Sequence, residues 1–249
     1  MDYTDRETLV ALRRELHRMP EPAWCEFQTT ARIVEACRDI GVDELHVGRD
    51  AVDSDARMAV PDEETLAEWT DRAREAGVDE GLLEQMAGGH TGAVAVLERG
   101  EGPTVALRVD IDALHITESD DESHHPASEG FRSEHDGCMH ACGHDGHATI
   151  GVGVLAAVAE SDFQGTLKVV FQPAEERVGG GKAVAESGHL DDVDHLYAVH
   201  LGLDHPTGEV VAGVGGFLAV SHLLAEFEGE GAHAGAHPEQ GRNAVQAMA

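Results

Sequence analysis

The segment Met139-His140-Ala141-Cys142-Gly143-His144-Asp145-Gly146-His147 sets one thiol and three imidazoles within nine residues, and the carboxylate neighbours Glu175 and Glu176 follow downstream. Sulfur, imidazole nitrogen and carboxylate oxygen are the donors that zinc-like ions take. An adjacent Glu pair can supply both a ligand and a proton acceptor for water polarised by a metal. Metal-assisted hydrolysis is therefore the first chemistry to consider. Cys142 and His144 stand two apart, a spacing that misses a common helix face but suits a loop or strand end aiming two ligands at one centre. Taken alone, the pair reads equally well as a buried thiol beside a helix-start histidine. Glu175 and Glu176 sharpen the case, because adjacent side chains at a strand end point in different directions and can divide two roles. A solvated acidic pair is the competing reading in so acidic a chain. Against it, the pair directly follows the apolar run 167–171 and precedes Gly179-Gly180-Gly181, the layout of a site at the carboxyl edge of a sheet. His200 ends the apolar run 196–199 in an equivalent place and is the third imidazole candidate.

These residues need elements to hold them. Apolar spacing predicts helices over 6–16 (Leu9, Leu12, Leu16) and 29–40 (Ile33, Val34, Cys37), the second stopped by Gly41. Charged helices are expected over 63–76, after Pro61, and over 80–86, ended by Gly88-Gly89. From Gly92 the period changes: 93–97 and 104–109 read as strands joined by a turn, 148–158 as a helix, and 166–171 and 196–199 as further strands. The alternation predicts an α/β fold, a mostly parallel central sheet with helices on both faces and the metal-like residues at strand ends. The polar stretch 119–132 reads as an exposed loop with solvated His124 and His125. Residues 1–214 form the expected catalytic, metal-binding domain. In 215–249 a strand (217–227), a loop and the start of a helix at Asn243 cannot enclose a core, and they read as the beginning of a second domain.

Composition narrows the function classes. The 249 residues, 41% of them hydrophobic, can bury a substantial core, so the chain is globular. Forty-eight Asp and Glu against 17 Lys and Arg give a net charge of −31, which excludes nucleic acid as a partner. Such a charge repels itself in the compact state and is best tolerated where concentrated salt screens it, which predicts a halophilic cytoplasm. The opening Met1-Asp2-Tyr3-Thr4-Asp5-Arg6-Glu7 is too polar for a signal peptide, and no apolar run approaches the roughly 20 residues that span a bilayer. No membrane role and a cytoplasmic location are expected. Four cysteines are too few for a disulfide scaffold; Cys25 and Cys37 read as core thiols.

Five motifs in order, His17-Arg18-Met19-Pro20-Glu21, Leu107-Arg108-Val109-Asp110-Ile111-Asp112-Ala113-Leu114, the Met139 to His147 segment, Phe171-Gln172-Pro173-Ala174-Glu175-Glu176 and Gly229-Glu230-Gly231-Ala232-His233-Ala234, resemble the aminoacylase-type metallopeptidases. These amidohydrolases include the auxin-conjugate, hippurate and p-aminobenzoyl-glutamate hydrolases, and the acidic helical insert ending at Gly92 is most similar to the last group. The resemblance implies two divalent metal ions (Zn, Mn, Co or Ni), with Cys142 bridging and His144, Glu176 and His200 as further ligands. It implies Glu175 as general base, taking a proton from water and returning it to the departing amine. His233 would reach from one protomer's lid into its partner's site to hydrogen-bond the oxyanion, and Asn243 would face the substrate. Asp110 and Asp112 would stand behind the histidine ligands as acceptors or serve structure. His140 and His147 flank the ligands, and His17 and Glu21 have no evident catalytic task. The implied substrate is a small N-acyl or N-aroyl amino acid, with aroyl-glutamate suggested by the insert. Arg108, Arg177, Lys182 and Arg242 are the cations near site segments. A smaller α/β lid and dimerisation domain would begin at 215 and pair the chain as a homodimer or heterodimer. Family members continue well past this point and return a last histidine ligand, so the alternative reading is an inactive fragment or a non-catalytic metal-binding protein on the same fold.

The charge carries a direct consequence. Raising NaCl from about 0.1 M to about 1 M shortens the screening length from about 10 Å to about 3 Å, and the urea midpoint of unfolding is expected to rise. A midpoint that falls or stays constant over that range would count against a halophilic design.

Overall fold

In the computed structural model, which describes residues 1–202, 205–213, 215, 225–233 and 235–248, short-range chemistry sets most helix ends. The Asp5 carboxylate accepts the Thr8 amide and opens α1 (Arg6–Arg18), whose inner stripe buries Leu12 and Leu16. α2 (Phe27–Ile40) stops at Gly41, which takes the left-handed conformation (φ 80°) that a side chain resists. After β1 (Glu44–Val47), Asp62 and Asp79 cap α3 (Glu63–Glu75) and α4 (Glu80–Gln85). The chain continues as β2 (Ala93–Glu98), β3 (Thr104–Asp110), the single turn α5 (His125–Ser128), α6 (His144–Ala159), β4 (Thr166–Gln172), α7 (Gly180–Ala185), β5 (His195–Ala198) and α8 (Ala244–Met248).

The five strands form one sheet in the order β1-β2-β4-β3-β5. β3 runs parallel to both β4 and β5, whereas β2 runs antiparallel to β1 and β4. The α/β reading holds, with its parallel ladders grouped around β3. The turn expected after 93–97 is present, but β2 and β3 are not partners, because β4 lies between them. Val169, Val170 and Phe171 explain this: at 0–1% exposure they need cover on both faces and strands on both edges. Alternation along β2 serves two cores. Ala93, Ala95 and Leu97 pack toward Leu12, Leu16, Val152 and Leu155, while Val94 and Val96 pack with Trp24, Val52 and Val184. α1, α2 and α6 thus cover one face, and α7 with the 51–56 segment covers the other. α6 lies close to the sheet because a Cβ at Gly151 would sit 2.7 Å from the Phe171 ring.

Two features go beyond the expectations. β1 is absent from the sequence reading because its four residues, Glu44-Leu45-His46-Val47, alternate too briefly to register. The 119–132 stretch is exposed along most of its length, His125 included, but it also contains α5, buries Phe131 at 2% exposure, and brings the half-buried His124 to the buried Glu118 at 2.8 Å. Glu118 also accepts the Ser133 amide, so the carboxylate draws the loop inward. Cys25 and Cys37 are buried thiols, as expected.

The chain divides into two compact units, Met1–Leu203 and Asp204–Ala249. In the second, Glu230 and Arg242 form an antiparallel bridge and α8 follows Asn243. Most of the strand expected over 217–227 lies outside the described residues. Among the described residues no helix is long and apolar enough to cross a membrane.

Two glycines test the packing of this frame. At Gly92 (φ 91°) a Cβ would lie 2.7 Å from both the Phe171 carbonyl oxygen and Pro173, whereas at Gly41 nothing lies within 4 Å. Gly92→Ala should cost about 2–4 kcal/mol in urea unfolding and Gly41→Ala about 1 kcal/mol. Equal costs would refute the close approach at Gly92.

Candidate metal centre

Gly143 turns the chain at the start of α6 with φ 81°, so that Cys142 before it and His144 after it converge instead of diverging. His144 is buried at 1% exposure, and its Nδ1 donates to the Asp112 carbonyl oxygen at 2.9 Å. That bond fixes the ring orientation and leaves Nε2 as the nitrogen that a metal would take in place of a proton. Nε2 is buried with no hydrogen-bond partner, as is Glu176 Oε1, which stands 3.8 Å away. Asp110 Oδ1 lies 3.6 Å from the same nitrogen and Glu175 Oε2 3.9 Å. Cys142, His144 and Glu176 form one set of donor atoms lying within 4.8 Å of one another, and Asp110, His144 and Glu175 form another.

His144, His147 and His200 also converge within 4.8 Å, but His147 is already occupied at both nitrogens. Its Nδ1 donates to Asp110, and its Nε2 accepts the Leu201 amide at 2.8 Å. It therefore orients the backbone beside His200 and holds Asp110, leaving no lone pair for a cation. His200 donates from Nδ1 to the Leu201 carbonyl oxygen at 2.8 Å, which leaves Nε2 available, and its ring centroid is 5.8 Å from that of His144.

Charge in this cluster is unbalanced. Burial by itself would lower the His144 pKa, but the hydrogen bond with Asp112 and the charges of Asp110, Asp112 and Glu176 override it and hold the imidazole at about 9. Desolvation, with Glu176, Glu175 and Asp110 nearby, pushes the Cys142 thiol to about 12. Burial and the neighbouring Asp110 also raise Glu175. A thiol among carboxylates is a poor nucleophile but a fitting donor, because a divalent cation reverses each of these shifts. The two orphaned buried atoms and the mixed sulfur, nitrogen and oxygen set fit such an ion.

The structure thus brings together Cys142, His144, Glu175, Glu176, His200, Asp110 and Asp112. Asp112 accepts the Glu176 amide through Oδ2 at 2.9 Å in addition to holding His144. Arg108 is engaged within the sheet, donating to Gln172 Oε1 at 2.9 Å and pairing with Asp110 at 3.1 Å. His233 and Asn243 belong to the second unit. There His233 Nδ1 accepts the Gly235 and Ala236 amides, and Asn243 Oδ1 accepts the Val245 and Gln246 amides at the start of α8.

Three buried acids around the site escape the sequence reading. Glu118 and Asp145 clamp His17 from its two nitrogens at 2.9 and 2.8 Å, and Arg13 reaches Asp145 at 2.8 Å. This gives the first motif a task, securing the first turn of α6. Burial opposes the His17 charge, but the bonds to Asp145 and Glu118 raise its pKa. The third acid, Glu26, accepts the Ala174 amide beside Glu175. In a chain with 48 acidic residues nothing local distinguishes these from surface carboxylates; only Asp145, inside the His/Cys motif, carried a signal.

Residues 106–248 match the sequence model of Peptidase family M20/M25/M40. The chain is 47% identical to the indole-3-acetyl-aspartic acid hydrolase of Enterobacter agglomerans, over 95% of this chain and 55% of the relative. It is 44% identical, over the same shares, to a protein of Escherichia coli (strain K12) named as one of the subunits of p-aminobenzoyl-glutamate hydrolase. The chain thus spans about half the length of the curated relatives it matches. Among solved structures, the aminobenzoyl-glutamate utilization protein of Klebsiella pneumoniae is similar with TM-score 0.72 and 35% identity over 97% of this chain and 55% of that one. The Bacillus subtilis YXEP protein, described as a dinuclear metal binding peptidase from M20 family, is similar with TM-score 0.57 and 28% identity over 82% of this chain and 44% of that one.

The raised His144 pKa makes a signed prediction. In the metal-free chain its contribution to stability is full below the ordinary value of 6.5 and is lost as pH rises through about 9. A metal must displace that proton and the Cys142 proton, so Zn²⁺ affinity should climb by up to about a hundredfold per pH unit between about pH 6 and 8. Calorimetry in buffers of different ionisation enthalpy should show proton release at neutral pH that is about one proton smaller in His144→Ala, the Cys142 proton remaining. Affinity independent of pH would remove His144 from the ligand set.

Proposed function

Because the chain belongs to the peptidase family M20/M25/M40, we propose that it carries the metal centre of a metal-dependent amidohydrolase that cleaves N-acyl or N-aroyl amino acids. The observation that bears most weight is the pairing of two orphaned buried donors, His144 Nε2 and Glu176 Oε1, with a half-buried carboxylate, Glu175, 3.9 Å from the same imidazole. Cys142, His144, Glu176 and His200 would hold two divalent ions, Zn, Mn, Co or Ni, consistent with the dinuclear metal binding stated for the Bacillus subtilis relative. Such ions, when bound, polarise the scissile carbonyl and lower the pKa of water.

The residues of this chain supply the proton chemistry and the positioning. Glu175, raised by burial and acidic neighbours, accepts a proton from the attacking water and delivers it to the departing nitrogen. A carboxylate poised above its usual range does both better than one that remains ionised throughout. Asp112 and Asp110 fix the ring and backbone geometry that Glu175 depends on. His233 would serve as the oxyanion donor in the site of a partner chain and Asn243 as a substrate contact, both from the second unit, which we assign to the lid and dimerisation domain starting near residue 215. The names of the relatives support amides of acidic amino acids, indole-3-acetyl-aspartate and p-aminobenzoyl-glutamate, as the substrate class. That the Escherichia coli relative carries the name of one part of a larger enzyme supports assembly with a second chain. The acidic composition and the four free cysteines support a salt-rich cytoplasm.

Glu175→Gln in the full protein should lower kcat on p-aminobenzoyl-glutamate by about 10²- to 10⁴-fold while bound metal per chain is unchanged. Unaltered turnover in that variant would reject Glu175 as the base. Comparison with benzoyl-glycine and indole-3-acetyl-aspartate would rank the substrate class.

A further inference from the structure

We infer that Glu26 is a positioning residue for Glu175, holding from the far side the left-handed turn on which that carboxylate is displayed. The inference rests on the proposed role of Glu175 for its catalytic meaning. The geometry stands independently.

Glu26 is fully buried at the entrance to α2, yet its side chain does not cap that helix. Its Oε1 instead accepts the amide of Ala174, at 2.8 Å, and its Oε2 accepts the hydroxyl of Thr91. Ala174 is itself buried and has φ 54°, a left-handed conformation that a non-glycine residue adopts only when its surroundings impose it. On the other side of Glu175, the Glu176 amide is held at 2.9 Å by Asp112. Both amides flanking Glu175 are therefore bound by buried carboxylates that come from elsewhere in the chain. The turn is closed by its own bonds, with Ala174 O accepting the Gly179 and Gly180 amides at 2.8 and 3.2 Å and Glu175 O accepting the Val178 amide at 2.7 Å.

Stability alone does not account for an acid at this position. Burial and the Asp112 charge drive the Glu26 carboxyl well above the usual range, and an apolar side chain of similar volume avoids that penalty. What an apolar side chain cannot do is accept the Ala174 amide at that reach. The neighbouring Glu21 accepts the Gln28 and Thr29 amides at 3.0 and 2.8 Å, so the Glu26 backbone is anchored before its side chain extends. Through Thr91, one carboxyl group links the starts of α2 and β2 to the end of β4.

The test separates reach from the carboxyl group itself. Glu26→Gln retains an acceptor at the same reach without an ionisable group, whereas Glu26→Asp retains the carboxyl group but is one methylene short. In the full chain, hydrogen exchange at the Ala174 amide should stay within about threefold of wild type in Glu26→Gln and accelerate at least about tenfold in Glu26→Asp, as expected when a buried donor loses its partner. In the active protein, kcat should follow the same order while KM and bound Zn²⁺ stay within about twofold. The opposite order, or equal behaviour of the two variants including failure of both to fold, would overturn the inference. If wild type hydrolyses no amide, the proposed function fails, and the exchange experiment still decides whether Glu26 holds the turn.

Discussion

Carboxylates converge on one buried imidazole at the carboxyl edge of the parallel strands, and the rest of the structure is arranged to make that tolerable. Asp110, Glu175 and Glu176 each place an oxygen within 3.9 Å of His144 Nε2. Like charges this close raise one another's pKa values, and without compensation the site would take up protons or open to water. Compensation comes from His147 and Arg108 on Asp110, from the amide that Asp112 binds, and from the first turn of α6, whose free amides favour negative charge. What remains unbalanced is what a divalent cation would neutralise.

The fold follows from that requirement. β3 and β4 run parallel, so their carboxyl ends reach the same edge, Asp110 beside Gln172 in register. Acids and imidazoles from four separate segments can meet there because each arrives at the end of a rigid element. β4 is central because its apolar run needs cover on all sides, and that position sends Glu175 and Glu176 into the middle of the site. The histidine clamp of the first motif and the Glu26 contact act a layer further out. One secures the first turn of α6, and the other secures the turn that follows β4.

Legibility from sequence tracked how local each cause was. The Asp caps of α1, α3 and α4 and the Gly41 stop are decided within one helical turn, and these ends were readable to within a residue or two. The order of strands was not, since pairing β2 with β4 across the intervening chain depends on which run is buried on both faces. Within the mostly exposed 119–132 stretch, the place of His124 was unreadable for the same reason: it depends on the buried Glu118 that receives it. His147 and His200 show the contrast most clearly. Both are imidazoles near the same motif residues, but hydrogen bonds with Asp110 and Leu201 occupy one and leave the other a free nitrogen.

By itself the sequence determined the chemical inventory. A Cys-Gly-His turn, a Glu pair after an apolar strand and a histidine after the next strand supply thiol, imidazole and carboxylate groups at the ends of elements, because residue type and the end of an element are local properties. The tertiary structure alone decided which of those groups face one another, which nitrogens stay free, and which buried acids, Glu26 and Glu118 among them, hold the rest in place. Those outcomes depend on burial and on partners far away along the chain, as with Glu26 and Ala174, which stand 148 residues apart. Burial changes a carboxylate from solvated surface into a fixed acceptor, and no local pattern records it.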